Sequence, residues 1–276
     1  MTVIVKSSIL AAKKLNYTMF ASATANTLTP VVFIHGLGSS QNFYHHIASK
    51  LTSETGRSCL LFDNEGAARS PLTEAKLDVA GMASNALGLL RELAIEQCIL
   101  VGHSMGGMLV NYLLAHEPAL FRGAVLVGPV HPTKTVGGIF GARIASVLEA
   151  NSMFTMANTV PFKALGNRAT SLHRSFVREL LLAQPIEGYA ANCRVIQHAG
   201  ENLEEKFVEW YKCIKHPVLI LQGEQDLSAP WANCVEIIAQ NVENVAVTKM
   251  PRIGHWHCIE ACDEVYTAIS AFVQKL

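Results

Sequence analysis

Short apolar runs recur along the chain, bounded by glycine, proline or aspartate. "PVVFIHG" (30–36), "SCLLFD" (58–63), "QCILVG" (97–102), "GAVLVG" (123–128), "PVLILQG" (217–223) and "NVAVTKM" (244–250) each read as a strand. Continuous apolar strands imply burial on both faces, as in a parallel sheet covered by helices on each side. Amphipathic stretches near 40–53, 78–94, 105–116, 229–240 and 259–275 read as those helices. Strand–helix alternation predicts an α/β fold with a doubly wound, mostly parallel central sheet. The segments "VIV" (3–5) and "YTMFA" (17–21) are placed to add an antiparallel edge pair.

One region breaks the alternation. From His131 to Lys215 there is no strand pattern, and "GGIFGARIASVLEA", "TSLHRSFVRELLLA" and "IEGYAANCRVIQHAG" all read as helix. Pro161 and Pro185 are expected to divide this stretch. The organisation that follows is a core formed by 1–130 and 216–276, with 131–215 inserted as a helical lid. Helices inserted at the C-terminal edge of a sheet commonly cover a site there. The plainer reading is a helical bundle that thickens the core.

Composition narrows the partners. The chain has 276 residues, half of them hydrophobic and 16% charged, with 22 basic residues against 22 acidic. A balanced surface exerts no electrostatic pull on nucleic acid or an anionic membrane, which points to a small, largely uncharged ligand. No apolar run approaches the roughly 18 residues of a membrane span, and no basic residue precedes the apolar run in "MTVIVKSSILAAKK". The seven cysteines are odd in number and show no C-x-x-C spacing. They read as reduced, mostly buried thiols of a cytoplasmic protein, with neither metal nor cofactor implied. The end of the chain, Gln274-Lys275-Leu276, loosely resembles a peroxisomal address. Nothing in the sequence fixes the oligomeric state.

The chemistry concentrates in "VGHSMGG", where Gly102-His103-Ser104-Met105-Gly106 fits G-x-S-x-G between a strand and a helix. A serine on that sharp turn, the nucleophile elbow, is lifted above the sheet, and its neighbours two residues away must be small. The turn also aims a helix N-terminus at the site and leaves the Met105 N–H free to donate to a developing anion. The alternative is a glycine-rich packing turn.

With that stretch in place, the chain resembles the α/β-hydrolase-fold serine hydrolases, of esterase or lactonase type with a helical lid. "HGLGSSQNFY" (35–44), "FDNEGAARS" (62–70), "GHSMGG" (102–107), "LQGEQD" (221–226) and "RIGHWHCIE" (252–260) follow the family's order along almost the whole length. The resemblance implies a catalytic triad in the order serine, acid, histidine. Ser104 is then the nucleophile and Asp226, after "PVLILQGEQ", the acid. Glu224 is the nearby rival, read as solvated or structural. Among eleven histidines, His255 in "IGHW" is the base; His257, two residues on, faces away or lines the entrance. The resemblance also places the second oxyanion-hole donor at Leu37, beside Met105. His35 and Asp63 are read as structural. Gly36, His131, Met153, Phe154 and Trp256 are the candidates for the substrate pocket, although the lid residues among them could equally be lid core.

A serine nucleophile makes an acyl intermediate from a carbonyl substrate. The expected activity is hydrolysis of a small, largely apolar ester or lactone. A carbon–carbon bond hydrolase using the same triad, and a receptor-like member that binds a small molecule with slow or no turnover, remain the other readings. The insertion also carries Arg143, Arg168, Arg174, Arg178 and Arg194, any of which could pair a substrate carboxylate; most arginines on helices are solvated faces.

Overall fold

A computed structural model describes residues 3–9, 15–22, 28–73 and 76–276. The "MTVIVKSSILAAKK" stretch therefore lies partly outside the described residues. The expected edge pair forms: β1 (Val3–Ile9) and β2 (Asn16–Ser22) run antiparallel, and β2 is antiparallel to β4. The remaining strands, β3 (Val31–Ile34), β4 (Cys59–Phe62), β5 (Cys98–His103), β6 (Phe121–Val127), β7 (Val218–Gly223) and β8 (Val245–Met250), are all parallel. The sheet order is β1-β2-β4-β3-β5-β6-β7-β8.

The apolar runs are explained by the two faces they bury. Val32 and Ile34 of β3 join one core cluster, while Val31 and Phe33 join the other. The first cluster packs against α2 (Val79–Glu92) and α3 (Met105–His116); the second packs against α1 (His45–Thr55) and α11 (Cys262–Val273). Both faces are packed with buried apolar side chains, so a polar side chain at an alternate position would lie buried without a partner.

After β3 the chain moves outward to β4, then crosses back so that β5 lies on the other side of β3. That reversal opens a crevice beyond the carboxyl ends of β3 and β5, where ligands bind in open α/β sheets. The glycine-rich loop after β3 and the serine turn after β5 both sit there.

Between β6 and β7 run five helices: α4 (Lys134–Ala150), α5 (Phe154–Lys163), α6 (Ser171–Leu182), α7 (Ile186–Asn202) and α8 (Glu204–Cys213). Thr133 caps α4 by accepting the Val136 N–H at 3.2 Å, a contact type worth about 1 kcal/mol. The break after α4 comes from Asn151, in the left-handed region at φ 43°. Pro161 does not divide the helices as expected; it sits inside α5, in its last turn. Pro185 does act as a break, standing as the N-cap of α7.

The expected helix at 229–240 is shorter than the sequence suggests. Residues 231–235 form a kinked turn with Asn233 at φ 59°, and only α9 (Glu236–Asn241) is regular. The last helical stretch is divided at Ala261 into α10 (His257–Glu260) and α11. No helix of the described residues is long and apolar enough to cross a membrane. All seven cysteines are free; five are buried, Cys262 is half-buried and Cys213 is exposed. Burial pushes the Cys59, Cys98 and Cys193 thiols up to about 12, as befits unreactive packing groups.

Candidate active site

Ser104 joins β5 to α3 with φ 55° and ψ −119°, a strained conformation for a residue with a Cβ. Its backbone is over-determined. The N–H donates to Val127 O at 3.1 Å, and the carbonyl accepts from Gly107 and Val130 at 2.9 and 3.3 Å. The turn demands its glycines: a Cβ on Gly106 would meet His35 O at 2.8 Å, and one on Gly102 would meet Val110 Cγ2 at 2.6 Å.

Ser104, His255 and Asp226 lie on three loops distant in sequence, and their side chains form one line. Ser104 Oγ is 2.9 Å from His255 Nε2, and His255 Nδ1 is 2.8 Å from Asp226 Oδ2. The carboxylate accepts only, so Nδ1 carries the proton and Nε2 presents its lone pair to the hydroxyl. Asp226 Oδ1 is held in turn by the N–H groups of Ser228 and Ala229, at 2.9 and 2.8 Å. The Asp226 side chain is fully buried. Glu224 is exposed, as expected of a solvated residue.

Neither the Met105 N–H nor the Leu37 N–H donates to a protein acceptor among the described residues. Met105 opens α3, so its N–H lies at the positive end of that helix dipole. The loop carrying Leu37 is fixed by His35. His35 Nε2 accepts the Asn64 N–H at 2.9 Å, and Nδ1 donates to Gly36 O at 2.8 Å. Burial lowers the His35 pKa, keeping the imidazole neutral for both bonds. Asp63 also serves a loop, accepting the Gln41 N–H at 2.8 Å and Asn16 Nδ2 at 2.7 Å.

His257 corrects the sequence expectation, because it neither faces away nor lines an entrance. It is wholly buried. Its Nε2 accepts the Gly223 N–H at 2.8 Å, so its Nδ1 carries the proton and donates to His255 O at 2.9 Å. The same carbonyl receives His103 Nε2 at 2.8 Å. Burial pushes the His257 pKa down to about 4, against the charge of Asp226, which raises it. Burial likewise holds His103 well below its ordinary value. Two neutral imidazoles therefore grip the backbone of the residue between Ser104 and Asp226.

Glu260 is a site residue that the motif reading missed. Its buried carboxylate accepts the N–H groups of Gly254 and Trp256, both at 3.1 Å, and of Gly166 at 2.6 Å. Burial raises its pKa, and those bonds oppose the rise. Gly166 belongs to the segment between α5 and α6, which also supplies Ala164 O to the His255 N–H at 2.6 Å. The helical insertion is thereby tied directly to the loop of His255. It is tied again around the junction of α6 and α7, where Gln184 Nε2 donates to Ser39 O at 3.0 Å and Asn192 Nδ2 donates to Glu65 O at 2.9 Å. The sequence signal for Glu260 was present in "GHWHCIE", as the one carboxylate in that stretch.

A cavity of about 760 Å³ lies between the sheet edge and the insertion, with Ser104, His255, Leu37 and Trp256 on its wall. Val136, Ile139, Phe140, Met156, Val160 and Phe162 make the facing wall mostly apolar. The other pocket candidates lie elsewhere. Met153 is buried in the second core cluster, packing the insertion onto the core. Phe154 is 59% exposed at the start of α5, on the side away from the cavity lining. His131 stands behind the wall, its Nδ1 3.0 Å from the Tyr211 hydroxyl, with burial lowering its pKa to about 4. Gly36 packs beneath the serine turn, where a Cβ would come within 2.8 Å of Ser104 Cβ.

The sequence and the fold are similar to those of known proteins. The chain is 25% identical over 252 residues to the sn-1-specific diacylglycerol lipase ABHD11 of Mus musculus, covering 90% of this chain and 81% of that one. It is 23% identical to a non-heme haloperoxidase of Rhodococcus erythropolis, covering 88% and 96%. Among solved structures, the enol-lactonase from Burkholderia xenovorans LB400 superposes with a TM-score of 0.85 at 19% identity, covering 98% of this chain and 100% of that one. A sequence profile described as alpha/beta hydrolase fold matches residues 29–261. With that match spanning most of the chain, the protein belongs to the alpha/beta hydrolase fold family.

Proposed function

We propose that the protein is a serine hydrolase that cleaves a small, largely apolar ester or lactone through an acyl-enzyme, with Ser104, His255 and Asp226 as its triad. The supporting observation is the unbroken line of hydrogen bonds from Asp226 through His255 to Ser104 Oγ.

In this reading His255 Nε2 takes the Ser104 proton as Oγ attacks the substrate carbonyl carbon. The buried Asp226 carboxylate fixes the tautomer and stabilises the imidazolium that forms. The carbonyl oxygen becomes an oxyanion, received by the N–H groups of Met105 and Leu37; one such donor is worth about 3 kcal/mol. His255 then returns the proton to the departing alkoxide oxygen, leaving an acyl-serine. Water, deprotonated by the same imidazole, attacks that ester, and the imidazolium gives the proton to Ser104 Oγ as the acyl C–O bond breaks and the acid leaves. Helices α4–α8 act as the lid, giving the apolar part of the substrate a dry wall.

The deciding experiment is labelling with a fluorophosphonate, alongside turnover of 4-nitrophenyl butyrate. The folded protein is expected to be labelled at Ser104 and to hydrolyse the ester, with both lost in Ser104→Ala. A folded protein that takes no label and turns over no ester overturns the reading.

A further inference from the structure

We infer that the cavity is built for a substrate bearing, besides its ester, an anionic oxyacid group, carboxylate or phosphate, with Arg143 as the anchor. This inference rests on the serine hydrolase reading above for the ester end alone.

The five arginines of the insertion separate once their partners are known. Arg168 pairs Glu264 at 2.6 Å, and Arg178 pairs Glu179 at 3.3 Å. Arg174 donates to Pro161 O at 3.0 Å and lies 5.5 Å from the centre of the Phe162 ring. Arg194 is exposed and stands outside the cavity lining. Arg143 alone among the five lines the cavity, and among the described residues it forms no ion pair.

Three further facts make this charge meaningful. No described lining residue is an aspartate or glutamate, while Lys163 on the same wall adds a second cation. The guanidinium is half-buried and lies over Phe140, 4.9 Å from the ring centre, and it has five donors, of which the Tyr189 hydroxyl engages one. Burial raises the pKa of the cavity-lining Tyr189 phenol, and the charge and hydrogen bond of Arg143 oppose that rise. A positive charge beside apolar walls, with no acid in the lining to neutralise it, attracts an anion more strongly than one in open water. The mouth completes the amphiphile's match: Ile139, Phe162 and Leu227 line it and are 54%, 70% and 79% exposed. A ligand with an apolar body and a charged end covers those side chains and pairs the arginine at once, and a planar guanidinium takes carboxylate or phosphate through two donors.

The test measures binding, not turnover, using the Ser104→Ala protein. The ligands are the monomethyl esters of linear dicarboxylic acids from succinic to sebacic, each beside its neutral dimethyl ester. A second arm uses methyl alkanoates ending in a phosphate, beside the corresponding alcohols. By calorimetry, at least one anionic ester is expected to bind about tenfold or more tightly than its neutral partner. The arm that shows the preference identifies carboxylate or phosphate. Adding Arg143→Met should erase the preference, adding Arg143→Lys should keep part of it, and adding Lys163→Met should reduce it. Equal binding of anionic and neutral esters in both arms overturns the inference, as does a preference that survives Arg143→Met. Because no bond is broken, this result is independent of the labelling experiment that tests Ser104 as the nucleophile.

Discussion

His257 Nδ1 donates to the backbone carbonyl of His255 at 2.9 Å, while its Nε2 receives the N–H of Gly223. The imidazole therefore bridges the end of β7, from which Asp226 follows, to the loop that carries the proposed base. Replacing it with alanine leaves a buried N–H without its acceptor and frees the His255 backbone on one side. His257→Ala is expected to lower kcat for 4-nitrophenyl butyrate by about 10- to 100-fold with little change in KM, as small misplacements of a reacting group do. A loss under twofold would mean that His103 alone holds the carbonyl.

Asp226→Asn tests the tautomer. The amide oxygen can keep the bonds from Ser228 and Ala229, which turns the amide nitrogen toward His255 Nδ1. That nitrogen donates, so the imidazole must move its proton to Nε2 and loses the lone pair that faces Ser104. Turnover should fall by about 10⁴ with the thermal midpoint nearly unchanged. A fall of less than tenfold would separate Asp226 from the chemistry.

Glu260→Gln replaces an acceptor of three backbone N–H groups with a side chain that offers one oxygen and one donor. Either orientation points an NH₂ at a backbone N–H. Stability to urea is expected to drop by about 1–3 kcal/mol, the cost of buried donors left unpaired. Wild-type stability in that variant would mean that the loop re-forms without the carboxylate.

Acid should weaken the fold through its buried histidines, His257 among them. The His257 pKa is lowered from 6.5 to about 4 in the folded chain. Between those values the unfolded chain binds a proton that the folded one refuses, so stability falls as pH drops through this window and is fully present above it. The contribution approaches about 3 kcal/mol. Urea unfolding at several pH values checks this: His257→Asn should remove only its own share of the slope between pH 6.5 and 4, because His131, His103 and His35 are also lowered by burial, and an unaltered slope would assign it wholly to those groups.

The sheet was legible because its strands are buried on both faces, so apolar continuity and strand length coincide. The serine turn was legible because only glycine fits at 102 and 106, which writes the geometry into the sequence. Two kinds of feature left no such mark. The left-handed residues Asn233 and Asn151 carry only a weak mark, because asparagine tolerates that conformation without requiring it. The roles of His257 and Glu260 depend on which backbone groups lie opposite, and those belong to segments far away in sequence. Pocket membership failed for the same reason: Met153 and Phe154 look alike in composition to Met156 and Phe162, and only the turn of α5 decides which pair meets the cavity.

The bond from the His255 N–H to Ala164 O has a mechanical consequence. Together with Gly166 held by Glu260, it pins the connection between α5 and α6 to the same loop that presents the imidazole. Any swing of the insertion large enough to shift that connection also pulls His255 out of line with Ser104. Entry of a ligand must therefore be accommodated farther out, by bending of α4 and the first turns of α5, or else a gaping mouth and a competent proton acceptor are mutually exclusive states of one lever.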